Sequence, residues 1–350
     1  MAEKHFDLIL VGFGNVGKAF AELLLEKKAL LNSQYGFTFR VTGIHTNRHG
    51  SAINPEGVDL QQALDLLKTD GTLETLDTTS FSGGTLDFIA KCPGDLLVEN
   101  SPLNPQNGRP ALDHIRFALQ RGLHAITANK GPVVYAYSEL MQLAEAKKKL
   151  FMFESAVMDG APIFSLFRGA HAPLAGAKLL GFDGILNSCT NLLLELMENG
   201  KTFDQAIEIA KAMGLTETDP SFDVDGWDAS VKVAALATVL MGIPFNPHEV
   251  DRTGIRGISP QMLAEAHEAG QRWKLVCTAE VIGGKLQARV HPECVGKDSP
   301  FYSVSGPSSI VRFKLDVLPA LGILETDPSP KTTAYGLLHD LIFIAQSEAA

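Results

Sequence analysis

The sequence predicts an α/β chain, with a doubly wound, mostly parallel sheet over residues 1–150 and an α+β domain over 151–330. Three observations carry that expectation. Through the first 150 residues, short apolar runs alternate with amphipathic stretches, the rhythm of βαβ units. Beyond residue 151 the texture changes to long helical segments and a hairpin signal. A chain of 350 residues, 45% hydrophobic and only 20% charged, is also long enough to bury two cores, which excludes disordered and fibrous architectures.

Taken in order, an apolar run at 6–11 reads as the first strand and 16–26 as a helix. A second strand follows at 37–44, a later one at 95–98, a helix at 111–121 and another strand at 124–127. In the second domain a strand ends in Glu154 and a Gly/Pro turn occupies 159–162. A strand at 179–186 then leads into helices at 191–199, 203–213 and 227–241. Gly283-Gly284 separates apolar runs at 275–282 and 285–290, a hairpin signal, and 308–315 adds a strand. A final helix at 333–346 is expected to pack back on the first domain.

Forty acidic against 30 basic residues leave a net charge of −10 with no basic stripe, so neither nucleic acid nor an anionic membrane is expected as partner. The chain opens without the features of a signal peptide. Its most apolar stretch, 231–241, is about half the length needed to cross a bilayer. Four scattered cysteines with no C-x-x-C spacing fit core thiols in a reducing cytoplasm. A small-molecule enzyme is the function class that remains.

Gly12-Phe13-Gly14-Asn15-Val16-Gly17 follows the first strand and opens a helix, the context that makes a glycine pattern a Rossmann-type dinucleotide fingerprint. Gly12 permits the turn, Gly14 lets backbone N–H groups approach a pyrophosphate, and Gly17 lets helix and strand close up. The second strand runs into Gly43-Ile44-His45-Thr46-Asn47-Arg48-His49, with no acid for a ribose 2′-hydroxyl and with Arg48 available for a 2′-phosphate. NADP is favoured on that ground, with NAD use left open. Lys130, just beyond the strand at 124–127, lies where ligands of open α/β sheets bind; the bland alternative is a solvated loop lysine.

In the second domain, Asn187-Ser-Cys-Thr190-Asn191 sits at a strand-to-helix junction, as a helix cap or a substrate cradle. Five acids and one lysine then fall within 217–232: Glu217, Asp219, Asp223, Asp225, Asp228 and Lys232. Asp228 and Lys232 are i and i+4 on one helix face and can pair. Such a pair is commonly a surface feature. Here the neighbours are almost wholly apolar, so Lys232 is expected to be near-buried and a candidate proton donor.

These motifs resemble the homoserine dehydrogenase family over nearly the whole chain. The resemblance rests on G-F-G-N-V-G at 12–17, V-E-N-S-P-L-N-P at 98–105, T-A-N-K-G-P at 127–132 and G-I-L-N-S-C-T-N at 184–191. It is most specific in A-M-G-L-T-E-T-D-P-S-F-D-V-D-G-W-D-A-S-V-K at 212–232. It implies NAD(P)-dependent interconversion of L-aspartate 4-semialdehyde and L-homoserine, on the route to threonine, methionine and isoleucine. By matching position, Lys232 would transfer the proton with Asp228 beside it, and Lys130 would lie between nicotinamide and substrate. Glu217 and Asp223, with Asn187 and Thr190, would bind substrate, and Ser101 would join the cofactor grip. A structural sodium ion is implied at backbone carbonyls of Glu154, Val157, Asp159 and Ala161, and a homodimer or homotetramer through the second domain.

Three segments depart from the family pattern. Met158-Asp159 stand in a loop that is usually glycine-rich, Ser188-Cys189 replace the two residues before Thr190, and 327–338 alters the last cofactor-covering loop. A related dehydrogenase acting on another small carbonyl acid is therefore the alternative, and a silent NADP-binding regulator a more distant one. No C-terminal amino-acid-sensing domain is expected, nor threonine feedback through one.

Overall fold

The computed structural model describes residues 4–216 and 219–347. The chain divides into two compact units, the first made of Met1–Pro162 with Ser329–Ala350 and the second of Ile163–Pro328. The first unit thus extends past residue 150, because the segment after Glu154 bonds to the closing helix of the same unit. Glu154 N–H donates to the buried Asp340 carboxylate at 2.8 Å, and the Ser155 hydroxyl to the Thr333 carbonyl at 2.7 Å.

In chain order the first unit contains β1 (Lys4–Val11), α1 (Asn15–Tyr35), β2 (Phe37–His45), β3 (Ser51–Ile53), α2 (Leu60–Lys68) and α3 (Thr85–Lys91). It continues with β4 (Leu96–Glu99), α4 (Ala111–Gln120), β5 (His124–Thr127), α5 (Lys130–Ala146) and β6 (Phe151–Met152). The sheet order is β3-β2-β1-β4-β5-β6, parallel throughout except for the β2–β3 pair. Side chains from β1 alternate between two apolar layers: Phe6, Leu8 and Leu10 join one, Ile9 and Val11 the other. The chain winds outward from β1 to β2 and then crosses to β4, so the C-terminal ends of β1 and β4 flank the point where strand order reverses. Ligands of open α/β sheets bind at that point.

The second unit contains β7 (Leu179–Ile185), α6 (Ser188–Glu198), α7 (Phe203–Ala212), α8 (Ser221–Val224), α9 (Trp227–Leu240) and β8 (Asp251–Arg252). α10 (Pro260–Glu268), β9 (Arg272–Ile282), β10 (Lys285–Val295), β11 (Ser309–Leu315) and β12 (Leu321–Glu325) complete it. Its sheet, β12-β11-β7-β9-β10-β8, is antiparallel except for the short β10–β8 pair. Helix α11 (Pro330–Ser347) returns the chain to the first unit, where Leu337, Leu341 and Ile344 enter the same apolar layer as α1. Among the described residues no helix is long and apolar enough to cross a membrane.

Candidate active site

A candidate dinucleotide site is built at the ends of β1, β4 and β5 of the first unit. Gly12 has φ +87°, and a Cβ there would lie 2.4 Å from the Asn100 carbonyl oxygen, so only glycine allows the turn and the contact with β4's end. A Cβ on Gly17 would meet the Gly12 carbonyl oxygen at 2.6 Å, which makes it the point where α1 closes on the turn. Gly14 has nothing within 4 Å of its would-be Cβ, and no side chain caps α1 at this position. The first turn of a 21-residue helix therefore keeps its N–H donors for an anion. Asn100 Oδ1 is buried without a hydrogen-bond partner beside this turn, an acceptor suited to a ligand hydroxyl or amide. The open turn and the orphaned acceptor both fit a bound dinucleotide.

Phe13 is buried, whereas Asn15 and Val16 begin α1. Arg48 lies in the loop after β2, 76% exposed, and its guanidinium grips both carboxylate oxygens of Asp70 at 3.0 and 3.2 Å. Ser101 lies in the loop after β4, and Lys130 is the first residue of α5. The Ser101 backbone N–H and hydroxyl both meet the Glu99 carboxylate, and Lys130 opens α5 directly after its cap Asn129, whose side chain accepts from Gly131 N–H at 2.9 Å.

The second unit carries its own polar cluster, where α6 and α9 present their N-terminal ends. Asn187 caps α6, its side-chain oxygen accepting from Thr190 N–H at 2.7 Å. Its amide nitrogen donates to Asp223 at 2.7 Å and to Asp228 at 2.9 Å, so one side chain joins the cap to both carboxylates. Lys232 Nζ lies 3.1 Å from Asp228 Oδ2 and donates to the Leu186 carbonyl at 2.6 Å, with both side chains of the pair 12% exposed. Burial, then the neighbouring Asp228, push the Asp223 carboxyl above its ordinary range; Asn187, Thr216 and Lys232 oppose them less strongly. Thr216 contributes its hydroxyl at 2.8 Å.

The structure thus brings Asn187, Asp223, Asp228 and Lys232 into one bonded cluster, with Thr190 at its cap. Glu217 lies outside the described residues. The Leu186 carbonyl and Thr216 are partners the sequence did not suggest, since both depend on how β7 and the loop before α8 fold. Glu99, Asn100, Thr127 and Asn129, at the ends of β4 and β5, are neighbours of Ser101 and Lys130 that the sequence did not single out, although they lie in the motifs at 98–105 and 127–132.

Glu154 and Val157 are buried at the edge of the first unit. Asp159 has φ +41°, and its carboxylate accepts from the Thr332 and Thr333 hydroxyls at 2.7 and 3.0 Å, which ties the loop to α11. Ala161 N–H donates to the Met158 carbonyl at 2.8 Å. Glu154 also has its side chain grouped with those of His339 and Asp340, their ligand atoms all within 4.8 Å.

Residues 12–154 match the family model "Homoserine dehydrogenase, NAD binding domain", and residues 162–342 match "Homoserine dehydrogenase". The chain is 35% identical over 349 residues to an NAD(+)-dependent homoserine dehydrogenase of Pseudomonas canavaninivorans, covering 98% of this chain and 97% of that one. It is 34% identical to the homoserine dehydrogenase of Methanocaldococcus jannaschii, covering 97% and 99%. Among solved structures, a hyperthermophilic archaeal homoserine dehydrogenase in complex with NADPH is similar at 28% identity, with a TM-score of 0.82 and 98% of each chain covered. Matched in both halves by one family's models and end to end by relatives of its own length, this chain belongs to the homoserine dehydrogenase family of NAD(P)-dependent oxidoreductases.

Proposed function

We propose that the chain interconverts L-aspartate 4-semialdehyde and L-homoserine, with Lys232 as the residue that moves the proton. The observation that carries this is the placement of Lys232, nearly buried and oriented by two acceptors, Asp228 and the Leu186 carbonyl. An ammonium held in one direction suits general acid catalysis better than one that rotates freely in solvent. The nicotinamide, when bound, supplies or takes up the hydride. In the reducing direction Lys232 Nζ gives a proton to the carbonyl oxygen; in the oxidising direction its neutral amine receives the hydroxyl proton. Asp228 holds that nitrogen in place. Glu217 and Asp223 attract the substrate ammonium, Asn187 and Thr190 shape the floor beneath it, and Lys130 attracts the carboxylate.

The cofactor would be held by Gly12 to Gly17 at its pyrophosphate and by Ser101 and Lys130 farther along. NADP is the proposed form, because no acid ends β2 and Arg48 is within that loop; NAD is the alternative. The carbonyl oxygens of Glu154, Val157, Asp159 and Ala161 are a donor set suited to a hard cation, in keeping with a structural sodium ion. Self-association through the second unit is supported by Val281, Ile282 and Leu324, large apolar side chains exposed on its sheet.

The test follows nicotinamide absorbance with L-aspartate 4-semialdehyde, NADPH beside NADH, and wild type beside Lys232→Ala. Turnover should fall by about 10²–10⁴-fold in the variant, the usual contribution of a positioned acid. Tight NADPH binding without turnover of this aldehyde would move the reading to another small carbonyl acid.

A further inference from the structure

Glu99 is a carboxylate with no exposed surface at the end of β4, and the chemistry proposed above does not use it. Its Oε1 accepts from Ser101 N–H at 3.1 Å, from the Ser101 hydroxyl, and from Nδ1 of the buried His114 at 3.2 Å. Its Oε2 lies 3.3 Å from the Thr127 hydroxyl, which is also 2.9 Å from the Glu99 carbonyl. Thr127 Oγ1 in turn accepts from Asn129 N–H at 2.9 Å. The Asn129 amide nitrogen then donates back to the Ser101 carbonyl at 2.9 Å. The bonds form a closed ring from Glu99 through Ser101, Asn129 and Thr127 to Glu99 again. A buried carboxylate is tolerated only when so satisfied.

The ring joins the two loops in which this family reading places cofactor contacts. Ser101 follows β4, and Asn129 caps α5 immediately before Lys130. Gly108 and Gly131 meet across the same loops, where a Cβ on Gly131 would be 2.5 Å from the Gly108 Cα. Backbone packing there leaves little room for the loops to adjust if the ring opens. Glu99 has no exposed surface with which to meet a ligand directly.

We propose that Glu99 is a positioning residue: its carboxylate, through Thr127 and Asn129, fixes Ser101 and Lys130 in register with each other at the nicotinamide end of the cofactor. The proposal rests on the reading that Ser101 and Lys130 meet the cofactor, and the experiment separates the two. NADPH dissociation constants, KM, kcat and apo-protein melting are measured for Glu99→Gln, Thr127→Val, Thr127→Ser, Ser101→Ala and Lys130→Ala. Glu99→Gln keeps the shape while replacing two acceptor oxygens by one. It and Thr127→Val should each weaken NADPH binding by about tenfold, the scale of one lost charge-assisted hydrogen bond. The double variant should lose no more than either single one, and Thr127→Ser should restore what Thr127→Val loses. A purely structural role would lower melting without that cofactor-specific, non-additive pattern. Wild-type NADPH binding and kcat in Glu99→Gln, with Ser101→Ala impaired, overturns the proposal alone. Unimpaired binding in both Ser101→Ala and Lys130→Ala overturns the cofactor reading and the proposal with it.

Discussion

Arg48 and Asp70 show how a single exposed pair can bear on cofactor choice. Their side chains are 76% and 67% exposed, and such pairs contribute about 0–1 kcal/mol, so Arg48 can leave Asp70 at little cost. Arg48→Ala should raise KM for NADP by about tenfold and leave that for NAD nearly unchanged. Asp70→Asn should shift preference toward NADP without altering stability. Steady-state kinetics with both cofactors checks this, and equal effects on the two would refute it. Lys274 is the opposite kind of residue, 1% exposed, with Nζ donating to Asn191 Oδ1 at 2.8 Å and the Val304 carbonyl at 2.5 Å. Burial, then Arg272, lower its pKa to about 8, against the opposing pull of Glu195 and Glu198. The folded protein therefore releases this proton near pH 8 and the unfolded chain near 10.5. Between those values the unfolded state binds more protons, so the contribution of Lys274 to stability rises with pH, by on the order of 3 kcal/mol across the window. Urea unfolding of wild type and Lys274→Met at pH values below and within the window should show the gap moving in favour of wild type as pH rises. A constant gap would contradict the assignment.

At the scale of elements, what was legible followed local pattern, and what was not depended on partners distant in sequence. The acid–lysine cluster could be read because Asp228 and Lys232 are one turn apart on α9. That Asn187 would bind both Asp223 and Asp228 could not, since it lies 36 and 41 residues from them. For the same reason α6 begins at Ser188 rather than 191: the side chain of Asn187 satisfies an N–H that an uncapped helix would expose. α1 continues past 26 to Tyr35 because Lys27 and Lys28 lie on its outer side while Leu31 returns to the core, and Gly36 at φ +67° ends it. No element is assigned to 130–146 from the sequence; Gly131 and Pro132 both fall in the first turn of α5, where a missing N–H breaks no bond. β10 likewise runs beyond 290, through Pro292, to Val295 alongside β9. Replacing Asn187 by Ala should cost about 1–2 kcal/mol as a lost cap. It should lower kcat/KM by at least about tenfold, because two carboxylates lose their shared donor. A stability loss with unaltered kinetics would make Asn187 a cap alone.

At the scale of the whole chain, the change of texture after residue 150 marks a change of architecture, and the first unit is completed by the last helix although that helix follows the second unit in covalent order. Leu337, Leu341 and Ile344 of α11 are fully buried in the layer that also contains Phe20 and Leu24 of α1 and Leu8 and Leu10 of β1. The same helix supplies the Asp340 carboxylate to Glu154 N–H and the Thr332 and Thr333 hydroxyls to Asp159. A unit that needs residues 330–347 to close its core cannot mature before the second unit has been synthesised. Its stability should therefore respond to α11 as strongly as to its own strands. Leu341→Ala removes a fully buried side chain and should destabilise the first unit by about 2–5 kcal/mol. Because a ligand that binds only the folded form shifts unfolding by mass action, saturating NADPH should recover part of the lost melting temperature. The same substitution at exposed Leu324 of β12, 55% exposed, should change the melting of isolated protomers little. Equal melting of Leu341→Ala and wild type without cofactor would show that α11 decorates the first unit rather than completing it.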